Sequence, residues 1–439
     1  AASQPRVKVY IRPGQEVTLD NALRMMMVKS ANDIAYVVAE GVGGNVESFV
    51  GMMNAQAQQL GWPGRRSEHF RALPPPVFER WMHAELPQEM ASGWTVEQSA
   101  GSGVSVRTLN ALDASERAVL LAHLPAPEDD RAAPFAWAHR ALCTGALHLQ
   151  VSASAGTAVL RLKHLAAGTV QAPALIVELQ EGARLVLIEE HAWPREPDGV
   201  AQNLVAHIHL AAGAHMQHLR VVTPGAKDRV AHHVQVALQG KTHYAQALAA
   251  TGCGYHLQRN TVQLAERDAE SRHAALVLNA DQALDYQMVG KLAAPRTRHQ
   301  VETLTLASGK AKSVSNAYAR IAPGADEADV FQRLTGIALQ GQPHMQLRPH
   351  LEILHDAVQA VHGATWGALP EDALFYARQR GLDDASARAL IVEGMARAVL
   401  ARCLGDTLDD AEAPLAQWLD GPWLAEAIAA QWNREPIHG

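Results

Sequence analysis

Across the middle of the chain the sequence repeats one short scheme, an alternating apolar run of four to six residues followed by a turn that contains glycine. Three successive turns of this kind fall at Gly182, Gly213 and Gly240, which are 31 and 27 residues apart. Runs this short, with no helical pattern between them, predict β-strands. Because a recurrence near 30 residues is typical of stacked repeats, we expect an all-β repetitive unit over 146–339.

The interior of this core must be narrow. Aromatic residues make up only 5% of the chain, while 48% of its residues are hydrophobic, so Ala, Val, Leu and Ile have to fill the core. Small side chains at so many inward positions suit a stacked solenoid better than a wide sandwich.

Charge and composition exclude several classes of protein. The formal net charge is −7, from 38 basic and 45 acidic residues, so no basic footprint for nucleic acid or an anionic membrane is visible. No apolar run approaches the roughly 18 residues of a membrane span, and no export signal is recognisable. Three scattered cysteines form neither a disulfide framework nor a metal motif. We therefore expect a soluble, cytoplasmic protein.

Histidines in the central strands raise the possibility of a metal site. His207 and His209 share one face of a predicted strand, and His215 and His218 lie on the next. No carboxylate or cysteine at matching spacing completes a cupin-like ligand set. We favour half-exposed polar residues on a solenoid flank, and a cupin-like metalloenzyme is the weaker alternative.

A compositional seam lies near residue 62. All 22 histidines follow it, although an even spread would place about three before it, and five of the 11 methionines precede it. Two helices are predicted on the N-terminal side, over 18–40 and 46–60, because apolar residues recur there near every 3.6 positions. We therefore treat residues 1–62 as a separate unit.

The N-terminal unit resembles D-alanyl-D-alanine carboxypeptidases. The resemblance rests on VYIRPG at 9–14, SAND at 30–33 and the stretch from Met53 to Gly61. It implies that Ser30 and Asn32 correspond to the SxN motif of that family, in which the serine helps to move protons and the asparagine orients substrate.

The nucleophile of that family is absent. The reactive serine belongs to an SxxK motif, and no serine in this chain has a lysine three positions later. The third motif, KTG, is also missing, and Lys241-Thr242-His243 comes closest. Without an activated nucleophile acyl transfer cannot begin. We therefore interpret residues 1–62 as a catalytically dead fragment, and a serine carboxypeptidase is the disfavoured alternative function.

The C-terminal third carries a second and longer resemblance. Its residues are RPHLEI at 348–353, HGAT at 362–365 and ALFYARQRGL at 373–382. This pattern is similar to the SufB/SufD family of iron–sulfur cluster assembly proteins, and within it to the SufD branch. The resemblance extends over about residues 60–439.

The resemblance implies a right-handed parallel β-helix with helical regions on both sides. Together with the strand pattern, it divides the chain into a carboxypeptidase-like fragment (1–62), an N-terminal helical region (63–145), the β-helix core (146–350) and a C-terminal helical subdomain (351–439). Within the last of these, the apolar pattern predicts helices over 369–380 and 384–404, with Asp384 as the N-cap of the second.

The resemblance also implies a role. The chain would be a non-catalytic scaffold that forms a heterodimer with a SufB-like protein and docks a SufC-like ATPase. His362 would contact iron or a nascent cluster at the SufB interface, whereas chemistry alone would make it a cap of the turn into the helices. Phe375, Tyr376 and Arg380 would contribute to the partner surface. No cofactor would be firmly bound, the iron–sulfur cluster would be transient, and ATP would reside on the SufC partner.

Overall fold

The computed structural model describes part of the chain in detail. The described residues are 41–42, 44, 48, 70–76, 93–98, 103–108, 111, 135–136, 138–139, 143, 145–166, 170–193, 198–404, 415, 419 and 421–432. The predicted helices over 18–40 and 46–60, with Ser30 and Asn32, lie outside these residues except for the single position Ser48.

Nineteen strands, three α-helices and one short 3-10 helix, Ala153–Ala155, are described. The strands are β1 Trp94–Gln98, β2 Val104–Thr108, β3 Ala146–Val151, β4 Thr157–Leu165, β5 Val170–Gln171, β6 Ala174–Leu179, β7 Arg184–Ala192, β8 Ala201–Leu210, β9 His215–Val222, β10 Arg229–Leu238, β11 His243–Thr251, β12 Tyr255–Leu264, β13 Glu270–Ala280, β14 Ala283–Leu292, β15 Arg298–Gly309, β16 Lys312–Ile321, β17 Ala328–Gly341, β18 His344–Ile353 and β19 Val358–Gly367. The helices are α1 Glu371–Gln379, α2 Asp384–Leu404 and α3 Trp423–Trp432.

The strands build a parallel β-solenoid of about eight turns, which confirms the predicted fold class. From β6 onward, successive strands alternate between two sheets. One sheet has the order β1-β4-β7-β9-β11-β13-β15-β17-β19, and the other runs β18-β16-β14-β12-β10-β8-β6-β3-β2, with β5 beside β8. The solenoid strands pair in parallel, whereas β1 and β2 pair antiparallel with β4 and β3 at the N-terminal end.

Alternation along each strand separates an interior face from an exterior face. Leu185 and Leu187 of β7 point into the solenoid, where they share one apolar cluster with Leu204 and Ala206 of β8. Val186, between the two β7 leucines, belongs to a second cluster on the outside. The apolar part of the interior is therefore mainly aliphatic, as the shortage of aromatic residues predicts.

A single backbone position per coil closes each turn in the left-handed region. Its φ values lie between 54° and 69°, and the residues are Gly182, Gly213, Lys241, Asp268, Arg296 and Glu327. Each donates its backbone N–H to a carbonyl of the next coil, as Gly213 does to Gly240 at 3.0 Å. The third predicted turn is present, but Lys241 rather than Gly240 occupies the left-handed position.

Helix α2 covers the exterior of the nine-stranded sheet. Its Val392, Ala396 and Leu400 pack in the cluster that also contains Val186 of β7. The side-chain amide of Gln217 in β9 donates to the carbonyl of Leu404, the last residue of the helix, at 2.6 Å. The helix is therefore attached to the sheet at its C-terminal end by a buried hydrogen bond.

Helix α2 begins where the sequence predicts, but its cap differs. Asp383 rather than Asp384 accepts a hydrogen bond from the backbone N–H of Ser386, at 2.7 Å, so Asp383 is the capping residue. The side chain of Asp384 instead bonds to Arg388 one turn later, at 2.7 Å. The error arose because both aspartates suit a cap and only the backbone geometry distinguishes them.

The solenoid extends further than predicted. Strands β18 and β19 continue to Gly367, so the boundary with the helices lies near residue 370 rather than 350. The last coil was missed because both of its strands are half-exposed, which weakens the apolar alternation. In the range 63–145, predicted as helical, the described residues include the strands β1 and β2. Most of that range lies outside the described residues, so its helical character stays a prediction.

Within the described residues, no helix combines the length and apolar character that crossing a bilayer would require.

Candidate functional site at the open end of the solenoid

Strands β18 and β19 form the C-terminal end of the solenoid. Each is the last strand of its sheet, since β18 pairs with β16 and β19 pairs with β17. Among the described strands neither has a partner on its other edge. Each is ten residues long, so two rows of backbone donors and acceptors face outward along the axis. We call this surface, with the interior-facing side chains of β18 and β19, the end face.

His362 lies in the middle of the end face. It is in register with Gln332 of β17, and neighbours in register on parallel strands point to the same side of a sheet. Gln332 is buried, and Leu334 beside it belongs to the interior cluster. The imidazole of His362 therefore faces the solenoid interior, yet it is exposed because no further coil stacks on it. It is five residues into β19, so it does not cap the turn into α1.

Apolar side chains share the end face with the imidazole. Ala360 and Ala364 flank it on its own strand and contact the interior cluster. Trp366 is 58% exposed and Ile353 is 44% exposed, and both lie in register with interior positions of the preceding coil. A partly apolar surface with one imidazole at its centre and unpaired strand edges around it has the character of a partner interface.

No cysteine of the described residues lies on the end face. Cys253 and Cys403 are buried and Cys143 is far away in the first coil. Burial raises the pKa of Cys143 to about 11 and that of Cys403 to about 12, and it raises the pKa of Cys253 further. These thiols are protonated at neutral pH, and the thiolate is the form that binds metal. The end face therefore offers an imidazole without thiolate ligands from its own chain.

A second exposed surface lies on helix α1. Phe375 is 62% exposed and Tyr376 is 58% exposed. The guanidinium of Arg380 lies 4.8 Å from the centre of the Tyr376 ring and donates to its hydroxyl at 2.7 Å. Tyr376 and Arg380 thus form an exposed aromatic–cationic pair, and Phe375 is an exposed aromatic residue of the same helix. Aromatic and arginine side chains of this kind are enriched at binding hot spots.

A network of buried polar side chains inside the solenoid was not expected from the sequence. Glu189 accepts hydrogen bonds from the imidazoles of His191 and His218, at 2.5 and 2.8 Å, and from Arg220 at 3.0 Å. All four side chains are inaccessible to solvent. The sequence nevertheless contains one sign of this network. Glu189 is in phase with Leu185 and Leu187 along the strand, which places its carboxylate on the interior face.

The network is electrostatically balanced. Burial acts to raise the pKa of Glu189, but Arg220 and the two imidazoles outweigh it, and the pKa of this carboxyl is well below its usual value. Burial lowers the pKa of His191 and His218, so both rings are neutral at neutral pH. One cation and one anion therefore remain, and the imidazoles act as hydrogen-bond donors to the carboxylate.

The central histidines do not form one metal site. His207 and His209 face outward on β8, whereas His218 points into the solenoid from the other sheet. The expectation of a half-exposed flank therefore holds for His207 but is wrong for His218, which is fully buried. In the part of the chain that the structure describes, no group of three or more His, Cys, Asp or Glu side chains is arranged to hold a metal ion.

Comparison with known proteins agrees with both resemblances. The profile of the SUF system FeS cluster assembly SufBD core domain matches residues 162–395. An iron–sulfur cluster assembly SufBD family protein of Synechocystis sp. is 23% identical over 239 residues, which is 52% of each chain. The iron–sulfur cluster assembly protein SufD of Escherichia coli is 24% identical over 253 residues, or 52% of this chain and 56% of that protein. The chain thus spans about half the length of these relatives.

The N-terminal residues match a different family. The D-alanyl-D-alanine carboxypeptidase profile matches residues 2–69. The D-alanyl-D-alanine carboxypeptidase DacF of Bacillus subtilis is 36% identical over 61 residues, which covers 14% of this chain and 16% of that enzyme. Only a short piece of a carboxypeptidase is therefore represented, as the missing motifs indicate.

Proposed function

The chain belongs to the SufBD family of iron–sulfur cluster assembly proteins, and from this premise we propose that it is a SufD-like, non-catalytic scaffold subunit of an assembly complex. The observation that carries the proposal is the position of His362 at the centre of an open solenoid end with unpaired strand edges. Its substrate is the nascent cluster, which it helps to hold while the cluster is built.

The partner at the end face is a SufB-like protein. A second solenoid can add its last strands to β18 and β19 and satisfy the free backbone groups, a mode of recognition common to exposed sheet edges. The exposed Trp366 and Ile353 would be buried in the same contact. A homologous partner suits this role because its own end would present strands of the same spacing.

Both chains contribute ligands to the cluster in this proposal. The imidazole of His362 is a nitrogen donor of the kind that suits iron. Thiolates must come from the partner, since the described cysteines of this chain are buried or distant and protonated. The heterodimer is therefore the functional unit, and the isolated chain is not expected to hold a cluster.

A SufC-like ATPase docks on the C-terminal helices. The exposed group formed by Phe375, Tyr376 and Arg380 supplies aromatic area and a cation in one place. ATP is bound by that partner, and its hydrolysis rearranges the interface at the end face. The complex works in the cytoplasm.

Serine carboxypeptidase activity is the alternative, and it is disfavoured because SxxK and KTG are absent. Covalent labelling with a fluorescent penicillin tests it. Labelling of the full chain would show a nucleophile and contradict the scaffold role.

His362→Ala tests the proposal. We expect the variant to lose iron–sulfur cluster assembly in complementation of cells that lack the endogenous subunit, because an imidazole ligand is removed. Association with the SufB-like and SufC-like partners should persist in co-purification. The matched control is His350→Ala, which removes an exposed, outward-facing imidazole from the same coil. Complementation by His362→Ala equal to that by the wild type would refute the assigned site.

A further inference from the structure

Arg220 connects the two sheets across the interior of the solenoid. It projects from β9 of the nine-stranded sheet, and its side chain is completely buried. The guanidinium donates to the amide oxygen of Gln258 in β12 and to Nδ1 of His232 in β10, both at 3.2 Å. Strands β10 and β12 are neighbours in the ten-stranded sheet. One buried cation therefore bonds to two adjacent strands of the opposite sheet.

Two arms of hydrogen bonds lead away from Arg220, and the first arm runs through His232. Because arginine offers donors and no acceptor, Nδ1 of His232 must accept. Its Nε2–H donates to the amide oxygen of Gln202 at 2.6 Å, and the amide nitrogen of Gln202 donates to Nδ1 of His164 at 3.3 Å. Both imidazoles of this arm therefore turn an acceptor nitrogen toward a donor, as only a neutral ring can.

The second arm runs through Gln258. Its amide oxygen faces Arg220, so its amide nitrogen is the donor to Nε2 of His256, at 2.7 Å. The other ring nitrogen of His256, Nδ1, donates to the backbone carbonyl of Thr251 at 2.6 Å. His256 is therefore also a neutral ring with one donor and one acceptor. The glutamines and histidines of both arms are each no more than 2% exposed.

A proton on any of these three imidazoles would break the arm that contains it. The acceptor nitrogen would become a donor that faces another donor, and at His232 the new cation would lie beside the guanidinium. Glu189 on β7 is the carboxylate of this network, but it is already bonded to the guanidinium and to the imidazoles of His191 and His218. Tyr244 faces the same region from β11, and burial raises the pKa of its hydroxyl, so it stays neutral.

We propose that Arg220 and its two arms form an acid-sensitive lock between the two sheets. Protonation of His164, His232 or His256 opens the lock and releases strands β10 and β12 from β9. Because each coil of a solenoid contacts only its neighbours, these coils can open while the rest of the solenoid stays folded. The inference does not depend on the proposed function.

The pH range of the lock follows from the burial of its imidazoles. Burial lowers the pKa of His256 to about 4 and that of His164 to about 3, and it holds the pKa of His232 well below its usual value. In an opened coil the rings would regain an ordinary pKa of about 6.5. The lock is therefore fully stable above about pH 6.5, and each ring favours the open state by up to about tenfold per pH unit below it.

Hydrogen exchange of the full chain, followed by mass spectrometry, tests where acid acts. We expect the population of open states in β9–β12 to rise at least about tenfold from about pH 7 to about pH 5.5, after correction for the intrinsic pH dependence of amide exchange. Strand β16 is the internal reference, because its inward-facing residues are serine, alanine and isoleucine, which do not titrate. No rise in β9–β12, or the same rise in β16, would overturn the proposal.

Glutamine at the two rings nearest to Arg220 separates protonation from packing. In His232→Gln and His256→Gln an amide oxygen can accept and an amide nitrogen can donate, but neither takes up a proton. We expect the double variant to take up about two fewer protons on urea unfolding near pH 5.5, read from the pH dependence of the unfolding constant. His209→Gln is the matched control, since this imidazole is exposed on the outer face of β8.

An unchanged proton uptake in the double variant would refute the lock. Proton uptake in the control should equal that of the wild type, and a loss as large as in the double variant would also contradict the proposal. If the double variant fails to fold at neutral pH, the exchange measurement on the wild type still decides, because it needs no substitution.

Discussion

At the scale of single residues, the ion pair between Glu189 and Arg220 is the most demanding feature of the interior. Both side chains are completely buried, and each charge has lost its hydration. The network compensates in part with further hydrogen bonds: Arg220 also donates to Gln258 at 3.2 Å and to His232 at 3.2 Å. Because removing one member of a buried pair leaves the other charge unbalanced, the pair is sensitive to single substitutions.

Glu189→Gln is expected to lower the free energy of unfolding by about 3–5 kcal/mol, since Arg220 then remains as an unpaired buried cation. Urea unfolding monitored by circular dichroism measures the change. The adjacent Glu190→Gln is the control, because Glu190 faces outward on the same strand and is partly exposed. A loss below about 1 kcal/mol for Glu189→Gln would mean that the pair is hydrated or already neutral.

At the scale of the elements, the row of left-handed turn residues links each coil to the next through backbone hydrogen bonds. Its left-handed position is filled by glycine in the first two turns and by Lys241 in the third, then by other charged residues. The left-handed conformation costs a residue with a Cβ roughly 1–2 kcal/mol, and asparagine less. This cost is offset because each of these residues donates its backbone N–H to a carbonyl of the next coil.

Gly213→Val is expected to lower the free energy of unfolding by about 1–2 kcal/mol, because a β-branched residue strains the positive φ of 69°. Space is not the cause, since the nearest atom to an added Cβ, the Cα of Gly182, is 3.9 Å away. Gly213→Asn should therefore cost clearly less. Equal losses for the two variants in thermal unfolding would point to a steric clash instead of backbone strain.

At the scale of the whole molecule, the two ends of the solenoid differ in whether further strands cover them. The N-terminal end is closed by the antiparallel strands β1 and β2, which cover β4 and β3. The C-terminal end has no such cover among the described strands, and it exposes Trp366 on its interior-facing side. Exposed strand edges favour association, so this asymmetry gives the molecule one end for a partner.

Trp366→Glu is expected to weaken association with a SufB-like partner at least tenfold, because a carboxylate would be buried in the contact without a counter-ion. Leu165→Glu is the matched control, as Leu165 is 53% exposed near the N-terminal end of the solenoid. Binding measured by sedimentation or calorimetry should be unchanged in the control. Equal affinity of Trp366→Glu and the wild type would exclude the end face as the interface.

The fold could be predicted from the sequence because its signals are local. Alternating strands and glycine turns indicate a solenoid, and the helix over 384–404 has its observed bounds. Part of the candidate site was also accessible, since His362 and Tyr376 were selected from motifs within single elements. The last coil could not be predicted from apolar–polar alternation. Strands β18 and β19 are exposed or half-exposed along most of their length, so their two faces differ little in burial.

The sequence by itself determined the family, the solenoid architecture and the presence of a short carboxypeptidase-like stretch ahead of the SufBD core. Only the tertiary structure shows that Gln332 and His362 are neighbours in register and that Glu189 forms an ion pair with Arg220. The physical reason is the stacking of coils: residues about 30 positions apart become neighbours. Coil length varies from turn to turn, so alternation predicts which face a side chain occupies but not which side chain lies beside it.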